Sequence, residues 1–159
     1  MAKQKISVQE IEVTINKKGY LSLTDIAKRG KATKPISTIR RWLRNQKTLS
    51  FLFAWEEAHN PDFKVTQIGH FRDLIENNAL EITPKMYIEN TGAIGITSTA
   101  GKYGGTYAHT DIALDFCRWL DPVFSVWLNK EFQRRSLKAK GENLPTKTNY
   151  LHKSPVSYV

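Results

Sequence analysis

Between Ile6 and Ile15 the apolar residues alternate: Ile6, Val8, Ile11, Val13 and Ile15, with one step out of phase at Gln9-Glu10. A repeat of two places those side chains on one face of an extended chain, so the segment reads as one or two short strands. Lys17-Lys18-Gly19 is a turn, and Tyr20 to Leu23 resumes a strand, most simply in a hairpin. The repeat then lengthens. Thr24 is a suitable N-cap, Asp25 suits the first turn of a helix, and Gly30 suits its end. Pro35 opens a second helix, with Thr33 or Ser37 as caps and Ile36, Ile39 and Leu43 on the inward stripe. Trp42 falls at the edge of that stripe, and the outward face holds Ser37, Thr38, Arg41, Arg44 and Asn45, with Arg40 on the flank.

Downstream, Thr48 is the expected cap of a helix over 49–58 that buries Leu49, Leu52, Phe53 and Trp55, and Asn60-Pro61 breaks it. Residues 63–68 read as a short strand, and 71–77 and 84–90 as short helices. Residues 93–97 and 106–108 read as strands around a glycine-rich segment. Thr110 and Asp111 open a helix through Leu120, and Pro122 opens another to about Leu137. The order is that of an α+β fold, with small antiparallel strands packed against helices, and excludes a doubly wound parallel sheet. The expected division is a domain over 1–137 and a flexible basic tail over 138–159, the latter with Gly141, Pro145 and Pro155 and little periodicity.

The charge is unevenly placed. The formal net charge is +9. From Ile26 to Trp55 there is no acid, but eight bases: Lys28, Arg29, Lys31, Lys34, Arg40, Arg41, Arg44 and Lys47. Glu56 to Leu128 holds ten acids against five bases. A solvated helix face mixes signs, because opposite charges one turn apart stabilise each other. A one-signed segment forgoes that gain and fits a polyanionic partner. The helix pair 24–29 and 35–45, joined by a tight connection, has the pattern of a helix-turn-helix, whose second helix enters the major groove. Arg, Ser, Thr and Asn on its outward face are residues that bond phosphates and base edges. Gly101-Lys102-Tyr103-Gly104-Gly105 between two strands reads as a wing, with Lys102 reaching a phosphate and Tyr103 bonding or stacking.

The DNA-contacting set expected from the residues is therefore Lys28, Lys31, Lys34, Ser37, Thr38, Arg40, Arg41, Arg44, Asn45, Lys47, Lys102 and Tyr103. Gly95 and Gly101-Lys102 fail as a nucleotide-binding loop. Five residues separate the glycines where that motif has four, and Tyr103 stands where a magnesium-binding hydroxyl is needed. The second helix pair, 111–120 and 123–137, also has a helix-turn-helix outline. Phe124, Val126, Trp127 and Leu128 cover more than one face, so its start is expected in the core, with Arg134 and Arg135 adding long-range attraction.

Catalytic signals are sparse. His59, His70, His109 and His152 lack zinc-ligand spacing, Cys117 is the only cysteine, and neither a metal nor a cofactor is expected. Pro61-Asp62-Phe63-Lys64 has an Asp-x-Lys element, which in a metal-dependent nuclease needs further carboxylates such as Glu56 or Glu57. No stretch reaches the length of a membrane span and no secretory start is present, so a cytoplasmic, nucleoid-associated protein is expected.

Several strings resemble the KilA-N domain family. They are Gly19-Tyr20-Leu21-Ser22-Leu23-Thr24-Asp25-Ile26-Ala27, Arg41-Trp42-Leu43-Arg44-Asn45 with Thr48 and Phe51-Leu52, and Trp55-Glu56 with His59-Asn60-Pro61. Gly101-Lys102-Tyr103-Gly104-Gly105-Thr106-Tyr107-Ala108-His109 with Asp111-Ile112-Ala113 is the most specific, and Glu131-Phe132-Gln133-Arg134 closes the series. The resemblance implies a DNA-binding domain of phages, bacteria and large DNA viruses, similar to the APSES domains of fungal transcription factors. It implies a surface made of the helix pair and the wing, including Arg40, Arg41, Arg44, Lys102 and Tyr103, and it brings no catalytic role. Double-stranded DNA is the expected partner, with no membrane role; the oligomeric state does not follow from the sequence. An antirepressor-like module meeting an acidic protein partner, and a nuclease, are the rival readings.

Overall fold

Ile6, Val8, Val13 and Ile15 are all buried while their strand neighbours face outward, so the alternation in the sequence is the pleat of the sheet. The computed structural model describes residues 4–8, 11–28, 34–78, 82–101 and 104–141. Strands β1 (Gln4–Val8) and β2 (Ile11–Ile15) pair antiparallel, with Ile6 opposite Val13. A turn closed by Gly19 N–H on the Asn16 carbonyl leads to β3 (Leu21–Ser22), which pairs with β2.

Helix α1 (Leu23–Ala27) follows directly. Its cap is Ser22, whose hydroxyl accepts the Asp25 N–H, and not Thr24 as expected. The Thr24 hydroxyl is taken by a distant group: it accepts the Thr106 N–H at 3.1 Å. Asp25 lies in the first turn as expected, and its carboxylate accepts the Thr14 N–H at 2.8 Å. The proposed stop at Gly30 and the connection through 33 lie outside the described residues.

Helix α2 (Pro35–Leu43) begins at its proline, and α3 (Gln46–His59) follows after two residues, Arg44 and Asn45. Asn45 caps α3 by accepting the Lys47 N–H, while Thr48, the expected cap, is buried one turn in. Two candidate caps three residues apart compete, and the earlier one wins because α3 reaches back to Gln46. In place of the expected strand, 63 and 64 lie in no regular element and 65 and 66 form a turn, and α4 (Gln67–Glu76) starts four residues before the expected helix. Helix α5 (Pro84–Thr91), strands β4 (Ile96–Thr99) and β5 (Gly105–Ala108), and helices α6 (Thr110–Leu120) and α7 (Pro122–Ala139) complete the described residues. The remainder of the expected tail, from 142, lies outside them.

The fold is α+β: a five-stranded antiparallel sheet, order β1-β2-β3-β5-β4, with seven helices among the described residues. No described helix is long and apolar enough to cross a membrane. The core runs from the sheet into Phe53, Phe71, Tyr87 and Phe116, all 3% exposed or less. Each such side chain contributes about 1.5–3 kcal/mol on burial.

One polar cluster sits inside this core. Glu56, near the end of α3, is completely buried. Its carboxylate accepts the Ile94 N–H at 3.0 Å, the Gly95 N–H at 2.7 Å and the Asn60 side-chain N–H at 2.9 Å. Asn60 also donates to the Gly92 carbonyl. Gly95 has no room for a side chain: a Cβ there would collide with Ile112 Cδ1 and lie 2.8 Å from the Trp55 ring. Tyr87 makes the opposite case. Its buried hydroxyl has no hydrogen bond among the described residues, and burial first, then the Glu56 charge, pushes its pKa far above the ordinary value.

Two substitutions separate these roles. Glu56→Ala leaves three buried donors unpaired and is expected to cost about 3 kcal/mol or more. Tyr87→Phe removes an unpaired hydroxyl and is expected to leave stability unchanged or raise it by up to about 1 kcal/mol. Urea denaturation of the two variants beside the parent chain measures both.

Candidate nucleic-acid interface

Trp42 decides how α2 is turned. Its side chain is 0% exposed, its ring meets Phe116 edge-on at 5.1 Å, and its indole N–H donates to Asp115 at 3.2 Å. A buried Trp N–H needs a partner, and α6 supplies it. The inward face is therefore Thr38, Ile39, Trp42 and Leu43. Three expectations are corrected. Thr38 faces the core at 2% exposure, its hydroxyl directed to the Lys34 carbonyl at 3.4 Å. Ile36, expected inside, is 51% exposed. Trp42 is not at the edge of the stripe but at its centre.

The outward face that remains is Ser37, Arg41 and Arg44, all exposed, with Arg40 half-buried beside them. Lys34 and Lys47 are exposed at the two ends, and Asn45 is exposed while its side-chain oxygen caps α3. Lys28 is exposed and lies 3.7 Å from Asp25. The structure thus brings Lys34, Ser37, Arg40, Arg41 and Arg44 together on one helix. Lys31, Lys102 and Tyr103 lie outside the described residues.

Helix α1 packs on α2, β5 and α6. The Thr24–Thr106 bond holds it to the β4–β5 hairpin, where Ser98 pairs with Thr106 and Thr99 with Gly105. At the hairpin tip Gly104 donates to the Gly101 carbonyl at 3.0 Å. A side chain on Gly104 would strike the Thr99 carbonyl, so the turn requires glycine there.

Between α2, α5 and this hairpin lies an open cavity of about 830 Å³. Its wall includes Ile36, Ile88 and Ile94, with Lys18 and Lys85 also lining it. Those two lysines were missed in the sequence. Lys18 read only as a turn residue, and Lys85 lies in the acid-rich part of the chain, 3.9 Å from Glu89. A second cavity of about 350 Å³ is lined by Arg41, Arg44, Asn45, Ile75, Asn78 and Trp119. The Arg41 guanidinium stands 5.6 Å from the Trp119 ring centre, a cation–π distance.

The start of α7 lies in the core only in part. Phe124 and Leu128 are buried, but Val123, Val126 and Trp127 are 66%, 50% and 40% exposed. The helix needs only one buried stripe against α6, and Phe124 and Leu128, four apart, fill it. Arg134 and Arg135 both lie on Glu131, at 2.6 and 3.8 Å. The Arg134 hydrogen bond, helped by both charges, holds the Glu131 carboxyl below its usual range.

Two of the histidines and Asp111 have structural partners. His109 caps α6 by accepting the Asp111 N–H, Asp111 accepts the Trp55 indole N–H, and the His59 ring stacks on Trp55 at 4.1 Å. Among the described residues no group of three or more His, Cys, Asp or Glu side chains is placed to hold a metal ion. Asp62 and Lys64 are exposed, whereas the Glu56 carboxylate is committed to backbone amides and Asn60.

The KilA-N domain family model matches residues 4–136, and the chain belongs to that family, whose members typically bind DNA. Neither a curated protein nor a solved structure matches the chain.

The turn of α2 is testable without any ligand. Thr38→Lys places a charge among buried side chains and is expected to cost about 3 kcal/mol or more. Ser37→Lys, one residue away on the outward face, is expected to stay within about 0.5 kcal/mol of the parent. Thermal melting of the pair reads the difference.

Proposed function

We propose that this chain is a double-stranded DNA-binding domain of a phage-type or bacterial transcriptional regulator. In this reading α1 and α2 form a helix-turn-helix, α2 enters the major groove, and the β4–β5 hairpin is a wing on the DNA backbone. The observation that carries the reading is the outward face of α2. Ser37, Arg41 and Arg44 stand exposed there, within a stretch from Ile26 to Trp55 that contains no acid. Lys34, Lys47 and Lys28 extend the cationic surface along the chain, and Lys18 and Lys85 extend it toward the hairpin. Lys31, Lys102 and Tyr103 join it as backbone contacts. Phosphate contacts supply most of the affinity, and the few side chains reaching base edges supply discrimination. The reading involves no catalysis, and the binding unit is proposed to end with α7.

One observation favours a second reading, an antirepressor-like module that binds a protein. Trp119, Val123, Val126 and Trp127 leave an apolar face on α6 and α7, and such faces mark protein contacts. Duplex selection distinguishes the two. Recovery of a sequence motif from a random duplex library, with binding that persists at raised salt, supports the regulator. No enrichment, with binding that collapses as salt rises, supports the module.

The double variant Arg41→Ala/Arg44→Ala is expected to stay within about 1 kcal/mol of the parent stability, because both side chains are exposed and Arg41 loses a surface cation–π contact with Trp119. Its duplex affinity is expected to fall at least tenfold. If each arginine neutralises one phosphate, the salt dependence of log K becomes shallower by roughly 0.9 per arginine. Fluorescence anisotropy over a salt series measures both changes.

A further inference from the structure

Ile36 is at odds with the rest of α2. It occupies the second position of the helix and is 51% exposed, whereas Ile39 on the next turn is 1% exposed. Packing therefore does not explain an isoleucine at 36. Its exposed neighbours on the helix are polar or cationic: Lys34, Ser37 and Arg41. Across the 830 Å³ cavity stands Ile94, 44% exposed, beside the β4–β5 hairpin. Ile36 is thus the single large apolar side chain among the exposed residues of α2, in the first turn of the helix and at the wall of the cavity that Ile39, Ile88 and Ile94 also line. The first turn of a major-groove helix is the part that reaches base edges.

The major-groove edges of the bases are hydrogen-bond donors and acceptors, with one apolar exception, the methyl group on C5 of thymine. A branched aliphatic side chain offers nothing to an amino or carbonyl edge and desolvates it at a cost. Against a methyl group it gains buried apolar surface.

We propose that Ile36 is a specificity-determining residue of the DNA-reading face, and that it takes the 5-methyl group of a pyrimidine, in thymine or in 5-methylcytosine. The assignment rests on the duplex-binding reading above. Ile36 selects for the methyl group, while Ser37, Arg41 and Arg44 hold the helix in register against phosphates and polar edges.

The test uses the full chain and the duplex recovered from the random library. Each thymine is replaced in turn by deoxyuridine, which removes the methyl group and nothing else. The parent chain is expected to lose about fourfold in affinity at one or two positions, the worth of one buried methyl group. Ile36→Ala is expected to lose nothing at those same positions. A cytosine at such a position is expected to bind about fourfold more tightly once methylated at C5, which separates methyl reading from reading of the rest of the thymine edge. Insensitivity of the parent chain to every such change overturns the proposal, as does sensitivity that survives in Ile36→Ala. Failure to bind any duplex overturns the DNA reading itself, and the proposal with it.

Discussion

The Glu56 carboxylate is the group on which the arrangement around α2 depends. A charge removed from water is stable only when its hydrogen-bonding capacity is filled. Here the filling groups are two successive backbone amides, Ile94 and Gly95, with the Asn60 side chain beside them. The carboxylate thereby fixes the chain just before β4 against the end of α3. The Gly95 carbonyl in turn accepts the His109 N–H at 2.8 Å, and the Tyr20 hydroxyl donates to the Ile94 carbonyl. The hairpin, the β2–β3 turn and the cap of α6 are all referred to one buried anion. The lack of room at Gly95 follows from the same closeness.

A second set of contacts orients α2 on that frame. The Trp42–Asp115 and Trp55–Asp111 hydrogen bonds place two acids of α6 under two indoles, one from α2 and one from α3. Asp115 is half-buried beneath Trp42, whereas Asp111 stays exposed. The cationic face follows from the eight bases and the lack of any acid between Ile26 and Trp55. An arginine face free of local carboxylates keeps its attraction for a polyanion.

Much of this was legible because the determinants are local. The alternation of Ile6 to Ile15 is a strand pattern, and Pro35, Pro84 and Pro122 each open a helix where the sequence predicts one. The recurrent strings that resemble the KilA-N domain lead to the family that the family model matches. What was not legible depends on partners far along the chain. Ile36 and Trp42 lie on either side of Ile39 and Leu43, and Asp115, 73 residues on, selects Trp42 for the inside. Glu56 reads only as a carboxylate that a nuclease site would need until amides 38 and 39 residues away are brought to it. Lys18 and Lys85 become neighbours of α2 only through the sheet and α5. The exposed front of α7 was missed because an apolar run of that density covers more than one face, whereas the stripe against α6 has room for Phe124 and Leu128.

If α2 and the β4–β5 hairpin form one contact surface for duplex DNA, backbone amide shifts of the isotopically labelled full chain show it during titration with a selected duplex. The perturbed amides are expected to cluster at 34–47 and 96–106, with Lys18 and Lys85, and α7 is expected to be unaffected. Perturbations centred on Trp119, Val123 and Trp127, with α2 and the hairpin unmoved, would contradict it.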